Sequence, residues 1–358
     1  MFGLSDVKQL LTQTDERTLT MYVDVDNATP ENQAAMPAWH IWVKNTLDQL
    51  STTLNGDQRE SWDYIRDWVR DFIVSYEPTD KGLVIIAGPS YQHTYNVPMK
   101  LENQAYFGTP TVGPLLWMID EYEPYLVVMV DQEKARFFVS YLGSVGFQEG
   151  MNIDIDDYDF AERTTMHGPG PGIDNAAVHG GTGKDDFKDM IDEFRARFYR
   201  DVVDNIARLR EKHKVRRVII GGSEQSAHAV HNFMDDHQKA SVVAVMSIPM
   251  RSNMQQIQEH VVSAALEHER DQELELVSQV IDFAKSGGRG ALGRQAVRDA
   301  LDMQRVETLI LPYPMGDEDN DLAFRALQLN SNVELVHGEA ASRLHEEGDI
   351  AARLYYAL

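Results

Sequence analysis

The stretch FRARFYRDVVDNIARLREKHKVRRVIIGG, residues 194–222, decides the fold. Its first part repeats apolar residues every three or four positions, as at Phe198, Val202 and Ile206, which predicts an amphipathic helix. Its last part is a β-branched run that ends in two glycines, which predicts a buried strand. Strand and helix patterns alternate on both sides of this stretch. We therefore predict a mixed α/β fold.

Domain boundaries are predicted where the pattern is interrupted. The chain has 358 residues, which is more than one domain usually contains. Pro124 precedes a strong strand pattern, and a charged helical pattern begins after Pro249. We predict three small α/β domains in series over residues 1–122, 123–250 and 251–358.

Composition excludes several classes of function. The chain has no cysteine, which excludes disulfide scaffolds, cysteine-ligated metal sites and thiol nucleophiles. Acidic residues outnumber basic ones by 57 − 33 = 24, so the protein lacks the basic coat of a general DNA-binding or membrane-binding protein. The N-terminus does not resemble a signal peptide, and no long apolar run occurs. We expect a cytoplasmic protein that contacts neither membrane nor DNA.

A glycine-rich loop is predicted over residues 164–184, in the middle domain. Its sequence includes HGPGPGIDNAAVHGGTGK at residues 167–184, which cannot form a packed core. Glycine allows close backbone approach to RNA, and the N–H groups at a helix start attract anions. The candidate RNA-binding residues here are His167, His179, Gly180, Gly181, Thr182, Gly183 and Lys184. A loop without a bound partner is the alternative interpretation.

Two groups of basic residues stand out from the acidic background. The first group, residues 208–217, contains six cations and one acid, Glu211. Its candidate RNA-binding residues are Arg208, Arg210, Lys212, Lys214, Arg216 and Arg217. The second group, residues 285–298, contains Lys285, Arg289, Arg294 and Arg298 and no acid. The alternative is that these cations only complement the dipole of a nearby helix end.

Three stretches in this order resemble the archaeo-eukaryotic peptide-chain release factor and Pelota family, in its bacterial branch. EPYLVVMVDQEKARFFVSYLG, residues 123–143, is similar to the hairpin that opens the family's middle domain. Residues 194–222 resemble its long helix and the strand that ends in Gly-Gly. RGALGRQAVRDALDMQRVETLILPY, residues 289–313, resembles the start of its third domain. The resemblance is good over residues 120–358 and loose before them, and it implies a tRNA-like overall shape.

Departures from the family pattern bear on function. Release factors of the family carry a Gly-Gly-Gln tip before the long helix, and the glutamine helps to organise water for the hydrolysis of peptidyl-tRNA. Here Gly180 and Gly181 are followed by Thr182, which lacks the reach and the paired donor and acceptor of an amide. The Asn-Ile-Lys-Ser tip that reads stop codons is also absent from residues 1–120. We therefore expect a protein that is not an enzyme.

The resemblance implies a protein that occupies the ribosomal A site. It would contact the ribosomal RNA of the decoding centre and the peptidyl-transferase centre and block both without chemistry, as a ribosome hibernation factor does. The third domain of the family contacts a translational GTPase or another ribosome-bound factor. We accordingly expect elongation factor Tu as a partner, bound through Arg289, Arg294 and Arg298 and the neighbouring acidic turn at residues 317–321.

Other functions remain open at this point. A release or rescue factor that cleaves peptidyl-tRNA, or a tRNA-processing enzyme, fits the same scaffold. A metal hydrolase is a further alternative, because His228 and His231 lie three residues apart on a predicted helix, followed by Asp235, Asp236 and His237. Histidines on a helix face are more often solvated, and we expect neither a metal nor a cofactor.

Overall fold

The computed structural model describes residues 7, 8, 11, 16–54, 56–152 and 182–357. Side chains are described throughout these ranges except at residues 57 and 182–190. The chain forms two compact units. Unit 1 comprises Met1–Glu123, Tyr141–Ser144 and Ala265–Leu358, and unit 2 comprises Pro124–Ser140 and Val145–Ala264.

Unit 1 begins with an antiparallel sheet of four strands in the order β3-β2-β1-β4. The strands are β1 (Thr18–Asp24), β2 (Gly82–Gly88), β3 (Tyr91–Val97) and β4 (Gln104–Gly108). The helices of this region are α1 (Ala38–Thr53), α2 (Asp57–Ser75) and α3 (Gly113–Glu121). Trp39 of α1 and Trp62 of α2 are buried against Leu19 and Met21 of β1. Burial of these large rings holds α1 and α2 on one face of the sheet.

Unit 2 contains a mixed sheet of five strands in the order β7-β6-β5-β8-β9. The strands are β5 (Tyr125–Val130), β6 (Lys134–Tyr141), β7 (Ser144–Asn152), β8 (Arg217–Gly222) and β9 (Val242–Val245). β5 pairs antiparallel with β6 and parallel with β8. The helices are α4 (Thr182–His213), α5 (Glu224–Phe233) and the single turn α6 (Asp236–Lys239). The predicted long helix and buried strand are α4 and β8.

The rest of unit 1 is a second, smaller α/β layer. Helix α7 (Met254–Lys285) begins in unit 2 and ends in unit 1. It is followed by β10 (Gly290–Leu292), α8 (Arg294–Asp302), β11 (Val306–Pro312), α9 (Asp317–Gln328), β12 (Asn332–Val336), α10 (Gly338–Glu346) and β13 (Ala351–Leu354). The strand order is β10-β13-β11-β12, and β11 pairs parallel with β12. One apolar cluster joins this layer to the first sheet of unit 1 through residues such as Tyr22 and Leu309.

The glycine pair that ends β8 has a steric cause. Gly222 has a φ of +121°, and a Cβ atom added there would lie 1.9 Å from the carbonyl oxygen of Val130. The next residue, Ser223, donates its backbone N–H to that same oxygen at 3.0 Å. A side chain at Gly222 would therefore push β8 away from β5, so that only glycine fits.

The mixed α/β prediction is confirmed by these sheets and helices. Each of the three sheets lies inside one of the three predicted domain segments, although the chain forms two compact units. The three-domain division itself stays a prediction. Among the helices that the structure describes, none is both long and apolar enough to cross a membrane.

Candidate nucleic-acid interface

The basic group at residues 208–217 surrounds the turn between α4 and β8. The apolar side of α4, including Phe198, Val202 and Leu209, is buried against the sheet, so its polar side faces outward. After the helix, Lys214 adopts a φ of +55°. Val215 then donates its N–H to the carbonyl of Arg210 at 2.9 Å. This hydrogen bond is the one that closes a Schellman motif at a helix C-terminus. This turn fixes where the basic residues lie.

Three of the six cations are engaged within the protein. Arg208 pairs with Glu149 and donates from Nε to Oδ1 of Asn205 at 2.8 Å. Asn205 also donates to Glu149, and the hydrogen bonds from Arg208 first and Asn205 second lower the pKa of the Glu149 carboxyl below its ordinary value. Arg210 donates to the carbonyl of Arg216 at 2.9 Å. Arg217 donates from Nη1 to the hydroxyl of Tyr125 at 3.0 Å. Arg208, Arg210 and Arg217 therefore brace the turn.

The other three cations are available to a ligand. Lys212, Lys214 and Arg216 are exposed, and no side-chain hydrogen bond or ion pair joins them to any part of the chain that the structure describes. Their charges lie within five residues of one another on a turn held by backbone hydrogen bonds. Unpaired cations on a fixed turn are suited to contact phosphate groups.

The first residues of α4 and this basic turn lie far apart. His167, His179, Gly180 and Gly181 lie outside the described residues. Thr182, Gly183 and Lys184 are the first residues of α4, and only their backbone is described. From Thr182 to Lys212 the helix rises about 45 Å, at about 1.5 Å per residue. Thr182, Gly183 and Lys184 therefore lie at the opposite end of α4 from the basic turn.

The second basic group is largely neutralised inside unit 1. Arg294 of α8 donates to Asp319 of α9 at 2.7 Å and lies 3.7 Å from Glu318. Arg298 lies 3.4 Å from the same Glu318. The acidic turn predicted as part of a contact surface is thus the first turn of α9, where carboxylates are favoured by the helix dipole and by these arginines.

Lys285 and Arg289 are the other two cations of the second basic group. Lys285 is paired with Glu347. Arg289 is exposed, and its guanidinium lies 5.8 Å from the centre of the Phe283 ring. Of the three residues predicted to bind a partner, Arg289 therefore keeps the most accessible charge.

A charged network that the sequence did not indicate lies in unit 1. Arg270 of α7 pairs with Glu121 and with Glu273, two carboxylates that are nearly buried. The Nδ1 atom of His337 lies 3.0 Å from Oε1 of Glu273 and 2.8 Å from Nη1 of Arg270. Glu121, Glu273 and His337 are residue types that bind metals and their ligand atoms converge, but the Arg270 guanidinium already supplies the positive charge. The network is an ion-pair cluster that ties α3 and α7 to His337, at the start of α10.

A second carboxylate cluster lies beside it. Asp120, Glu269 and Glu334 bring one oxygen each within 4.8 Å of one another. Burial, followed by the charge of Glu334, raises the pKa of Asp120 well above the ordinary value of a carboxyl group. Asp120 also accepts the backbone N–H of Leu335 at 3.0 Å. This hydrogen bond has a structural role, since it joins α3 to β12.

The histidines considered for a hydrolase do not form a metal site. Among the residues with described side chains, groups of three or more converging metal-type ligands occur at the two clusters above and not at His228 or His231. Both histidines are on α5. Partial burial and the charges of Lys239 and His228 lower the pKa of His231.

The middle of the chain matches a known protein family. Residues 110–266 match the model of the family described as bacterial archaeo-eukaryotic release factor family 10. No curated protein is a significant match.

Solved structures of release factors and Pelota proteins are also similar. One is archaeal Pelota in a model of ribosome-bound archaeal Pelota and ABCE1, with 12% identity, coverage of 99% of this chain and 94% of that one, and a TM-score of 0.45. Another is Dom34 of S. cerevisiae, described as interacting with Hbs1, with 10% identity, coverage of 99% and 94%, and a TM-score of 0.44. A third is the archaeal translation termination factor aRF1, with 15% identity, coverage of 99% and 98%, and a TM-score of 0.29. At these values the three structures carry no functional argument of their own.

Proposed function

We propose that this chain is a member of the release factor and Pelota family that binds the ribosome, because residues 110–266 match the model of bacterial archaeo-eukaryotic release factor family 10. In this proposal it is a cytoplasmic hibernation factor that occupies the A site and covers the decoding and peptidyl-transferase centres. It contacts ribosomal RNA there and leaves peptidyl-tRNA intact. The observation that carries the proposal is Thr182, which stands directly after Gly180 and Gly181 where the family's hydrolytic members have glutamine.

Thr182 supports occupancy rather than catalysis for a chemical reason. A glutamine amide has a carbonyl acceptor and an NH₂ donor at the end of a long side chain, whereas threonine has one hydroxyl on Cβ. The threonine hydroxyl lies closer to the backbone than a glutamine amide does. It offers one donor proton, whereas the amide offers two. The alternative function is cleavage of peptidyl-tRNA by this tip. It lacks the glutamine amide that organises water in the family's hydrolytic members.

The electrostatics of the turn after α4 support contact with RNA. The whole chain has a net charge of −24, which disfavours non-specific binding to a polyanion. Lys212, Lys214 and Arg216 nevertheless present three exposed charges that are not neutralised by described residues. Local cations in an acidic chain favour docking in one orientation, because the remaining surface is repelled by phosphate.

Elongation factor Tu is proposed as the partner of the C-terminal segment. The proposal now rests mainly on Arg289, because Arg294 and Arg298 are held by Asp319 and Glu318. The neutralised pair can position α8 and α9 for such a contact without supplying its charge.

Co-sedimentation with purified bacterial ribosomes tests the proposed function. We expect the wild type to sediment with ribosomes at low salt and to leave added peptidyl-tRNA uncleaved. The triple variant Lys212→Gln, Lys214→Gln, Arg216→Gln should bind more weakly. The negative slope of log affinity against log salt should become shallower by about 2.1–2.7, because each of the three lost phosphate contacts contributes about 0.7–0.9.

Arg200→Gln is the matched control for this experiment. Arg200 is an exposed cation of the same helix, outside the basic turn. It should keep the wild-type slope. No sedimentation of the wild type at low salt, or cleavage of peptidyl-tRNA, would contradict the proposed function, and a wild-type slope in the triple variant would remove the turn from the interface.

A further inference from the structure

A second cationic site lies in unit 2, away from the basic turn. It is a cleft of about 460 Å³. Its lining includes Asp131, Lys134, Arg136, Asn152, Met250 and Arg251. These residues come from the β5–β6 turn, β6, the end of β7 and the segment after β9. They are distant in sequence, and the pairing of the strands brings them together.

The cleft is open on the face of the sheet opposite α4. Ala135, Phe137 and Val139 of β6 belong to the apolar cluster that packs against α4. Since successive residues of a strand point to opposite faces, Arg136 and Phe138 lie on the other face. The cleft therefore does not compete with the packing of the long helix.

The polar groups of the cleft favour an anion. Arg136 is half-buried and donates to the carbonyl of Met250, and its guanidinium lies 5.6 Å from the centre of the Phe138 ring. Lys134 and Arg251 are exposed, and their side chains have no hydrogen bond or ion pair with the described residues. One guanidinium is thus fixed in place while two further cations are free to close on a ligand.

Among the described residues that line the cleft, Asp131 is the one acid, and its carboxylate is already hydrogen-bonded. Oδ1 of Asp131 accepts the backbone N–H of Glu133 at 2.8 Å and that of Lys134 at 2.7 Å. These bonds close the β5–β6 turn and satisfy part of the carboxylate. Three cations against one engaged carboxylate leave a net positive site in a chain of net charge −24.

We propose that this cleft binds the phosphodiester backbone of RNA. The inference rests on the proposed function and adds a second RNA contact to it. The residues described as lining the cleft include no aromatic ring on which a base could stack, so the cleft is suited to the backbone rather than to the bases. Asn152, at its edge, is the last described residue before the predicted glycine-rich loop.

The cleft and the basic turn lie at opposite ends of the same strand. At one end of β5, Tyr125 pairs with Arg217, the last residue of the basic group. At the other end of β5, Val130 pairs with Ala135 beside the cleft. Tyr125 and Val130 are five residues apart, which is about 17 Å along a strand. The two sites therefore make separate contacts, and their effects on binding should add.

Fluorescence anisotropy with a labelled twelve-nucleotide oligouridine tests the cleft without ribosomes. The comparison is between the wild type, the double variant Lys134→Gln, Arg251→Gln and the control Arg200→Gln, at salt concentrations from 25 to 200 mM. We expect the double variant to bind at least about 10-fold more weakly at the lowest salt and its salt slope to fall by about 1.4, which is 0.7 for each lost contact to a single strand. The control should match the wild type.

Three outcomes overturn the proposal. They are no binding of the oligouridine by the wild type at 25 mM salt, equal binding by the double variant and the wild type, and full displacement of the oligouridine by submillimolar inorganic phosphate. The last result would assign the cleft to a free phosphate instead of RNA. Equal urea midpoints for all variants confirm that the exposed substitutions leave the fold intact.

The same variants separate this inference from the proposed function. If the wild type binds oligouridine through Lys134 and Arg251 but does not sediment with ribosomes, the cleft is supported and the ribosomal function is wrong. If it sediments with ribosomes while oligouridine binding does not depend on the cleft, the reverse holds.

Discussion

Residues 208–217 and residues 285–298 look alike in the sequence, since each gathers cations in an acidic chain. The fold treats their charges differently. In the first group Lys212, Lys214 and Arg216 remain exposed and unpaired among the described residues. In the second, Arg294 and Arg298 are neutralised by Asp319 and Glu318.

The difference teaches that the local density of cations does not measure the charge that a partner meets. The acids that neutralise the second group come from α9 and from the end of α10, which are distant in sequence. Within the part of the chain that the structure describes, the first group has one such ion-pair partner, Glu149, which pairs with Arg208. A basic group keeps its charge for a partner when the fold brings it no acids. The predictions below test this division into paired and free cations.

The largest effect is expected at the most deeply paired cation, Arg270. Replacing it in Arg270→Gln leaves Glu121 and Glu273 nearly buried without their positive partner, with side chains 9% and 1% exposed. We expect a loss of about 2–4 kcal/mol in the free energy of unfolding, which is below the range for a fully buried pair because Arg270 is partly exposed. Equilibrium unfolding in urea measures it.

The matched control for Arg270→Gln is Arg289→Gln, an exposed cation of the same unit without an ion pair among the described residues. Its free energy of unfolding should stay within about 0.5 kcal/mol of the wild type. Equal effects of the two substitutions would show that pairing does not distinguish these cations.

An intermediate effect is expected at Arg294, within the second basic group. Arg294→Gln removes the partner of Asp319, whose side chain is 9% exposed, and should cost about 1–2 kcal/mol of stability. Binding to ribosomes should not change, because this arginine is already neutralised. The opposite pattern, weaker ribosome binding at unchanged stability, would break the comparison between the two groups.

The smallest effect is expected at Asp120, where a carboxylate lies among other carboxylates. Burial and the charges of Glu334, Glu269 and Glu273 raise its pKa in the folded chain, while its pKa in the unfolded chain is ordinary, about 3.9. The folded state then binds the proton more tightly, so stability falls as the pH rises from about 4 through the raised pKa.

Asp120→Asn removes this titration and still offers an oxygen to the N–H of Leu335. The variant should therefore lose less stability than the wild type as the pH rises, while the two converge below pH 4. Urea midpoints measured at intervals between pH 4 and pH 9 give both curves. Parallel curves would show that Asp120 does not titrate as its surroundings indicate.

The sequence predicts the local elements of this molecule well. The helix period over residues 194–209 and the apolar run before Gly221 give α4 and β8 because each pattern acts within a few residues. The glycine pair also has a local signal, although its cause, the approach of Gly222 to Val130, requires the paired strands.

The partners of the charged residues are not predictable in the same way. Arg270 meets Glu121 across 149 positions, and Arg136 meets Met250 across 114. No period or motif links such residues, because sheet order and helix packing decide which of them meet. For this reason residue spacing identified the basic turn but not the cleft of Lys134, Arg136 and Arg251, nor the neutralisation of Arg294.

The contact at Gly222 limits how this protein can vary. Because the position has room for a hydrogen atom alone, a randomised codon there returns a single amino acid from any selection for folded molecules. The codons of Lys212 and Arg216 carry no such restriction from the fold, whereas Lys214 has a φ of +55°, which disfavours β-branched residues and proline. Variation at Lys212 and Arg216 therefore reports on what the protein binds, and invariance at Gly222 reports only on how it is built.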